Sequence, residues 1–215
     1  MKNLLAFVAG ILLLTGCAQA QSNERSPAKL PTPKPGEAVA NFAGGCFWAL
    51  DEGMNQLKGV REVISGYAGG KTKNPTYEEV STDLTGHAET VQVYYDPKVI
   101  SYQTLADIFF TASHDPTQLN RQGNDTGPEY RSVAFYRTPE EKKIIEQTIA
   151  KVNASKQYDD KIVTQVVPFK QFWDAEDYHQ GYYRLHPENP YIEAVSARKV
   201  EHVRTLFPQQ LKQAL

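Results

Sequence analysis

Cysteine occurs at two positions in these 215 residues, 17 and 46. The second lies in Phe42-Ala43-Gly44-Gly45-Cys46-Phe47-Trp48. A short apolar run ending in two glycines reads as a strand, a tight turn and a helix start, with Cys46 at the helix N-terminus. Unpaired backbone N–H groups and the helix dipole favour negative charge there, so the thiol is expected to ionise readily and act as a nucleophile. The bland reading of a lone cysteine is a small buried hydrophobe. The two glycines carry no side chains, so a substrate is expected to approach closely on that flank. Phe47 and Trp48 either set an aromatic wall beside the sulfur or are core of the first helix.

A second candidate lies in Gly86-His87-Ala88-Glu89-Thr90-Val91-Gln92-Val93-Tyr94-Tyr95. Strand side chains alternate between faces, so Glu89 shares a face with Val91, Val93 and Tyr95. A carboxyl on an apolar face is expensive unless it keeps its proton or is well paired. Burial would hold it protonated near neutral pH, fit for general acid work. If strand pairing starts at Thr90 instead, Glu89 is a solvated loop residue. A third cluster runs from His114-Asp115-Pro116-Thr117 through Arg121 to Ser132, a polar loop of about 17 residues, and connections of that length are often functional. His87, Glu89, His114 and Asp115 are possible metal ligands. Without a second usable cysteine or an H-E-x-x-H spacing, no metal is expected.

The elements that must position these groups can be placed coarsely. Ala38 to Ala43, Val60 to Tyr67, Ala88 to Tyr95, Ser132 to Arg137 and Ile162 to Val167 read as strands. A helix after Cys46 carries Phe47, Leu50, Met54 and Leu57, has Asp51 and Glu52 in its early turns, and stops at Gly59. Ser101 can cap a second helix, and Thr138-Pro139-Glu140-Glu141 strongly marks a third. A fourth is expected over Asp174 to Tyr183. The first six elements follow the split β-α-β plan, so the fold expected is α+β: a ferredoxin-like core with a mainly antiparallel sheet, C-terminal helix and strand additions, and long loops.

The chain opens with Lys2, an apolar run from Leu4 to Leu14, and Leu14-Thr15-Gly16-Cys17. That is the layout of a secretory signal over 1–17, too short to span a bilayer, which needs about 20 residues. Leu-Thr-Gly-Cys resembles a bacterial lipobox with Cys17 as the lipidated residue; an alternative cut follows Ala20. In either case Cys46 is the one usable thiol of the mature chain, and exported proteins seldom leave a cysteine unpaired without reason. Residues 18–37 form a proline-rich tether, 38–195 a single domain, and 196–215 a C-terminal tail that reads as a weak helix followed by Pro208 and a polar end, with no assigned role. The formal charge of −2 and the lack of a basic stripe argue against a nucleic-acid partner.

Six motifs occur in order: Gly44-Gly45-Cys46-Phe47-Trp48, Tyr67-Ala68-Gly69-Gly70, Pro75-Thr76-Tyr77-Glu78-Glu79-Val80, Gly86-His87-Ala88-Glu89, the 114–132 loop and Ala175-Glu176-Asp177-Tyr178-His179-Gln180. Together they resemble the A-type peptide methionine sulfoxide reductases over about residues 38–192. The resemblance implies reduction of the S-epimer of methionine sulfoxide, free or in proteins, with no metal or organic cofactor. It implies that Cys46 attacks the sulfoxide sulfur, Glu89 protonates its oxygen, and Tyr77 and Tyr130 hydrogen-bond that oxygen. Phe47 and Trp48 would hold the methyl group, and Asp125 would order the polar side of the pocket. Cys46 would then carry a sulfenic acid.

Many members resolve this acid with C-terminal cysteines. Here 181–215 contains none, and Ser81 stands where many have another. The implied partner is therefore an outside reductant: a thioredoxin-like protein, a glutaredoxin-like protein or a small thiol. A monomer, lipid-anchored in the periplasm of the cell envelope, is expected. Two rivals are a one-cysteine peroxidase, which has little use for a buried acid, and a lipid-anchored peptide-binding module, which would not need the thiol.

Overall fold

The computed structural model describes residues 30–213; the expected signal, Cys17 and the tether up to residue 29 fall outside the described residues. Along the chain run β1 (Ala38–Ala43), α1 (Phe47–Asn55), β2 (Val60–Ala68), α2 (Tyr77–Val80), β3 (Ala88–Tyr95) and α3 (Tyr102–Ile108). There follow β4 (Arg121–Gln122), β5 (Asp125–Thr126), β6 (Val133–Tyr136), α4 (Pro139–Ser155), β7 (Gln165–Pro168), β8 (Phe172–Asp174), α5 (Tyr182–Leu185) and α6 (Ala197–Leu206).

Six strands form one sheet in the order β7-β6-β1-β3-β2-β8. The inner four, β6-β1-β3-β2, are antiparallel neighbours and realise the expected split β-α-β core. β8 adds antiparallel to β2, whereas β7 runs parallel to β6. A parallel neighbour requires a crossover, and α4 supplies it. The helical side of the sheet holds the main core: Phe42, Val91 and Val93 from the strands meet Leu50, Met54, Leu105, Ile108 and Ile145. Burying each such side chain contributes about 1.5–3 kcal/mol. A smaller cluster of Ala43, Val133, Phe135 and Phe172 covers the other side, so every residue of β3 is buried.

Several boundaries differ from expectation. The polar stretch after β2 contains α2, closed by a capping box: Thr76 Oγ1 accepts from the Glu79 N–H at 3.2 Å, and Glu79 accepts from the Thr76 N–H at 2.9 Å. The helix expected over Asp174 to Tyr183 is instead the end of β8, a 3-10 turn at Asp177–His179, and α5. Gly181, at φ +61°, breaks any continuous helix there. Gln180 pins the segment to β2 by exchanging hydrogen bonds with the Ser65 N–H and C=O, both at 2.9 Å. β7 begins at Gln165, because the Ile162 and Val163 N–H groups go to Asn153 and Pro116 instead of a strand.

α6, in the stretch set apart as a tail, packs against α1 with Val200 and Val203 buried. At the other end, half-buried Leu30 packs on the smaller cluster and Glu37 pairs with Arg61 at 2.6 Å, so the last part of the tether lies against the sheet. No described helix is long and apolar enough to cross a membrane.

Candidate active site

β1 delivers the chain into a turn at Gly45, whose φ of +81° suits glycine. Cys46 follows as the N-cap of α1, with no side-chain capping bond. The glycine flank, expected to open toward substrate, is filled by protein. A Cβ on Gly44 would lie 2.8 Å from the His114 ring, and one on Gly45 would lie 2.5 Å from Gln122. That flank is therefore closed to substrate.

The helix N-terminus is also occupied. The Phe47 N–H donates to Glu89 Oε2 at 3.0 Å. Glu89 sits in the β2–β3 ladder opposite Tyr67, so strand pairing does include it and the solvated alternative fails. Its side chain is 2% exposed. Burial pushes its pKa from 4.5 up to about 8, against the pull of the Phe47 N–H. Glu89 thus keeps its proton at neutral pH, as expected. Cys46 behaves differently from expectation. Burial first, and then Glu89 once it ionises, push the thiol well above its ordinary range, outweighing the Trp48 N–H, Lys199 and the Tyr191 hydroxyl. At rest this is a neutral thiol, not a thiolate.

Both groups line a cavity of about 260 Å³. Its walls are Cys46, Phe47, Trp48, Tyr77, Glu89, Asp125 and Tyr130, together with Asn189 and Tyr191. All seven residues given a part in the reaction therefore meet, although they come from the N-cap of α1, α1 itself, α2, β3, β5 and the turn before β6. The wall is fixed from behind. Trp48 Nε1 donates to His179 Nδ1 at 3.1 Å, and its ring stacks on Tyr182 at 3.9 Å. Phe47, 1% exposed, lies 5.0 Å from the His179 ring. Glu176 accepts from the Tyr77 N–H at 3.0 Å and the Tyr67 hydroxyl at 3.1 Å, which anchors α2. Burial and Glu89 raise the pKa values of Tyr77 and Tyr130, so both hydroxyls stay protonated donors. Arg184 bridges buried Asp51 (3.3 Å) and Glu52 (2.7 Å), tying α5 to α1; the two acids serve that tie, not the start of the helix.

Asn189 and Tyr191 were not singled out in the sequence. The Tyr191 hydroxyl donates to Asp125 Oδ2 at 2.5 Å. The only local hint was the Pro187-Glu188-Asn189-Pro190-Tyr191 spacing, which marks an irregular segment and no chemistry. The long loop is folded on itself through Asp115 and Gln122, which exchange two bonds of 2.9 Å. His114 gives its ring nitrogens to Phe109 O and Ser132 Oγ, and burial lowers its pKa to about 3. His87 is held by Gly70 and Thr72. Both histidines thus serve the fold, and among the described residues no three His, Cys, Asp or Glu side chains gather as a metal site. A larger cavity of about 760 Å³, bordered by Arg131, Phe135 and Trp173, holds neither a thiol nor a buried carboxyl. Chemistry, not size, identifies the site.

Known proteins resemble this chain over most of its length. Residues 38–211 match the family model described as peptide methionine sulfoxide reductase. The peptide methionine sulfoxide reductase MsrA of Saccharolobus solfataricus is 48% identical over 174 residues, which is 81% of this chain and 97% of that protein. The crystal structure of Mxr1 from Saccharomyces cerevisiae in reduced form superposes with a TM-score of 0.68 at 32% identity, covering 74% of this chain and 91% of the yeast chain. Mxr1 in complex with Trx2 gives a TM-score of 0.51 at 27% identity, over 72% and 91% of the two chains.

Proposed function

The chain belongs to the peptide methionine sulfoxide reductase family, and from that premise we propose that it reduces the S-epimer of methionine sulfoxide, free or in oxidised proteins, to methionine. The observation that carries this reading is the convergence of one thiol, one protonated carboxyl and two tyrosine hydroxyls on an aromatic-walled cavity. A sulfoxide presents a methyl group, an electrophilic sulfur and a basic oxygen, and the cavity offers a partner for each. Phe47 and Trp48 hold the methyl group. Tyr77 and Tyr130 donate to the oxygen, and Glu89 gives it a proton as Cys46 attacks the sulfur. Asp125 orders the polar side through Tyr191.

The thiol's proton makes up what Glu89 gives away, so the first half-reaction needs no net proton. Cys46 thiol and sulfoxide become Cys46 sulfenic acid and methionine; sulfur of the substrate is reduced and sulfur of Cys46 oxidised by two electrons. Two equivalents of an outside thiol then restore Cys46, releasing a disulfide and water. Cys46 is the sole free cysteine of the described residues, and the yeast relative's complex with Trx2 supports a thioredoxin-like reductant. Glutaredoxin-like proteins and small thiols fit the same chemistry. The lipobox at Leu14 to Cys17 supports export to the cell envelope with a lipid anchor at Cys17, and one complete cavity per chain supports a monomer.

The testing experiment is turnover on each resolved sulfoxide epimer with dithiothreitol as reductant. Methionine from the S-epimer is expected. Reduction of the R-epimer alone, or of neither, overturns the reading.

A further inference from the structure

Behind the cavity lies a cation that the reaction as described leaves unused. Lys199 is on α6, which packs against α1. Its Nζ is buried and has no hydrogen-bond partner among the described residues. A buried ammonium without an acceptor is unfavourable unless a nearby anion compensates it. The atom lies 3.2 Å from the point where a side chain on Gly45 would begin. The bare backbone of Gly45, one residue before the nucleophile, is thus what lets α6 present a positive charge there.

The other titratable groups that share the cavity of Cys46 are acids and phenols. They are Glu89 from β3, Asp125 from β5, Tyr77 from α2, Tyr130 before β6 and Tyr191 before α6. Burial pulls the Lys199 pKa down, and negative charge on Cys46, Asp125 or Glu89 pulls it back up, so the ammonium and these groups favour one another's charged forms. His114, the nearest histidine behind the glycines, is neutral and committed to Phe109 and Ser132. Formation of a thiolate here would therefore add negative charge among acids, and Lys199 is the group that opposes it. Donors held in place for a charge that develops only during reaction have no partner at rest.

We infer that Lys199 is a positioning residue for the reductase reaction: its ammonium becomes the charge partner of Cys46 when that sulfur is a thiolate or a sulfenate. This rests on the proposed reading of the site for its catalytic consequence, but the effect on the thiol can be measured without it.

The test compares wild type, Lys199→Met, Lys199→Gln and Lys199→Arg in the full chain. Alkylation of Cys46 by iodoacetamide is followed by mass spectrometry of the peptide containing it, which separates it from Cys17. Rates are taken at several pH values, alongside thermal melting and methionine sulfoxide turnover. Removing the charge is expected to slow alkylation about tenfold at a common pH, the equivalent of about one unit in the thiol's pKa, with a comparable fall in kcat. Lys199→Arg is expected to restore both. A purely structural lysine would shift melting but leave the pH dependence of alkylation in place. Should either neutral variant that folds alkylate like wild type at every pH, the inference is overturned. If wild type reduces no sulfoxide yet the alkylation shift is present, the functional reading fails and the electrostatic role of Lys199 stands.

Discussion

Glu89→Gln separates catalysis from stability and does so with a calculable sign. Burial holds the native carboxyl protonated up to about 8, whereas the unfolded chain ionises it near 4.5. Between those values the native state binds the extra proton, so its stability falls as pH rises from about 4.5 and levels off above about 8. At pH 7 the withheld ionisation covers about 2.5 units, and at 1.36 kcal/mol each it lowers stability by about 3 kcal/mol. Glutamine is nearly isosteric, its amide oxygen can still accept from the Phe47 N–H, and it does not titrate. The variant should equal wild type at pH 4 and exceed it by up to about 3 kcal/mol at pH 7. For a domain of this size that is a rise of about 6–12 °C in Tm. Turnover should fall by a factor of about 10² or more with the loss of the acid. Paired thermal melts and assays at pH 4, 5.5, 7 and 8.5 measure both. A variant less stable than wild type at pH 7, or a Tm difference that ignores pH, would refute the assignment of Glu89 as a buried neutral acid.

Other expectations follow from the same geometry. Cys46→Ser should abolish reduction while methionine sulfoxide still binds, because the aromatic wall and the hydroxyls are untouched; retained turnover would remove Cys46 as nucleophile. Wild-type turnover should decline as pH rises past about 8, where Glu89 loses its proton, and should stay flat there if another group supplies it. Tyr191→Phe removes the 2.5 Å bond to Asp125, which should lower stability by about 1 kcal/mol and reduce kcat about tenfold; unchanged kinetics would make Tyr191 a wall and nothing more. Cys17→Ser should shift the protein from the membrane fraction to the soluble periplasmic fraction, and an unaltered distribution would rule out lipid at that residue.

The parts of this molecule that were legible in sequence are those whose cause is local. β1 ends where two glycines follow an apolar run, and β3 could be read because alternation carries through Glu89 to Tyr95. α4 announced itself by Thr138, Pro139 and Glu141, and the Thr138 side chain does accept from the Glu141 N–H. The split β-α-β order followed from the sequence of elements alone. The path of residues 174–191 was not legible, because distant partners shape it. Gln180 completes its bonds on Ser65, Tyr191 on Asp125 and Arg184 on Asp51 and Glu52. The charge state of Cys46 was misread for the same reason. A helix N-terminus does lower a thiol's pKa, but Glu89, on the distant β3, already occupies the first N–H, and burial raises the pKa further than the helix end lowers it. Seven residues of the site could be named in advance; Asn189, Tyr191 and the balance between burial and dipole could not.

Single-turnover chemistry in the absence of any reductant tests the central proposal most directly. Purified, fully reduced protein is mixed with excess S-epimer, methionine released is counted per chain, and Cys46 is captured with a sulfenic-acid-specific reagent. One methionine per chain, with the adduct on Cys46 alone, is expected. No methionine, or an unmodified Cys46 after methionine has formed, would contradict it.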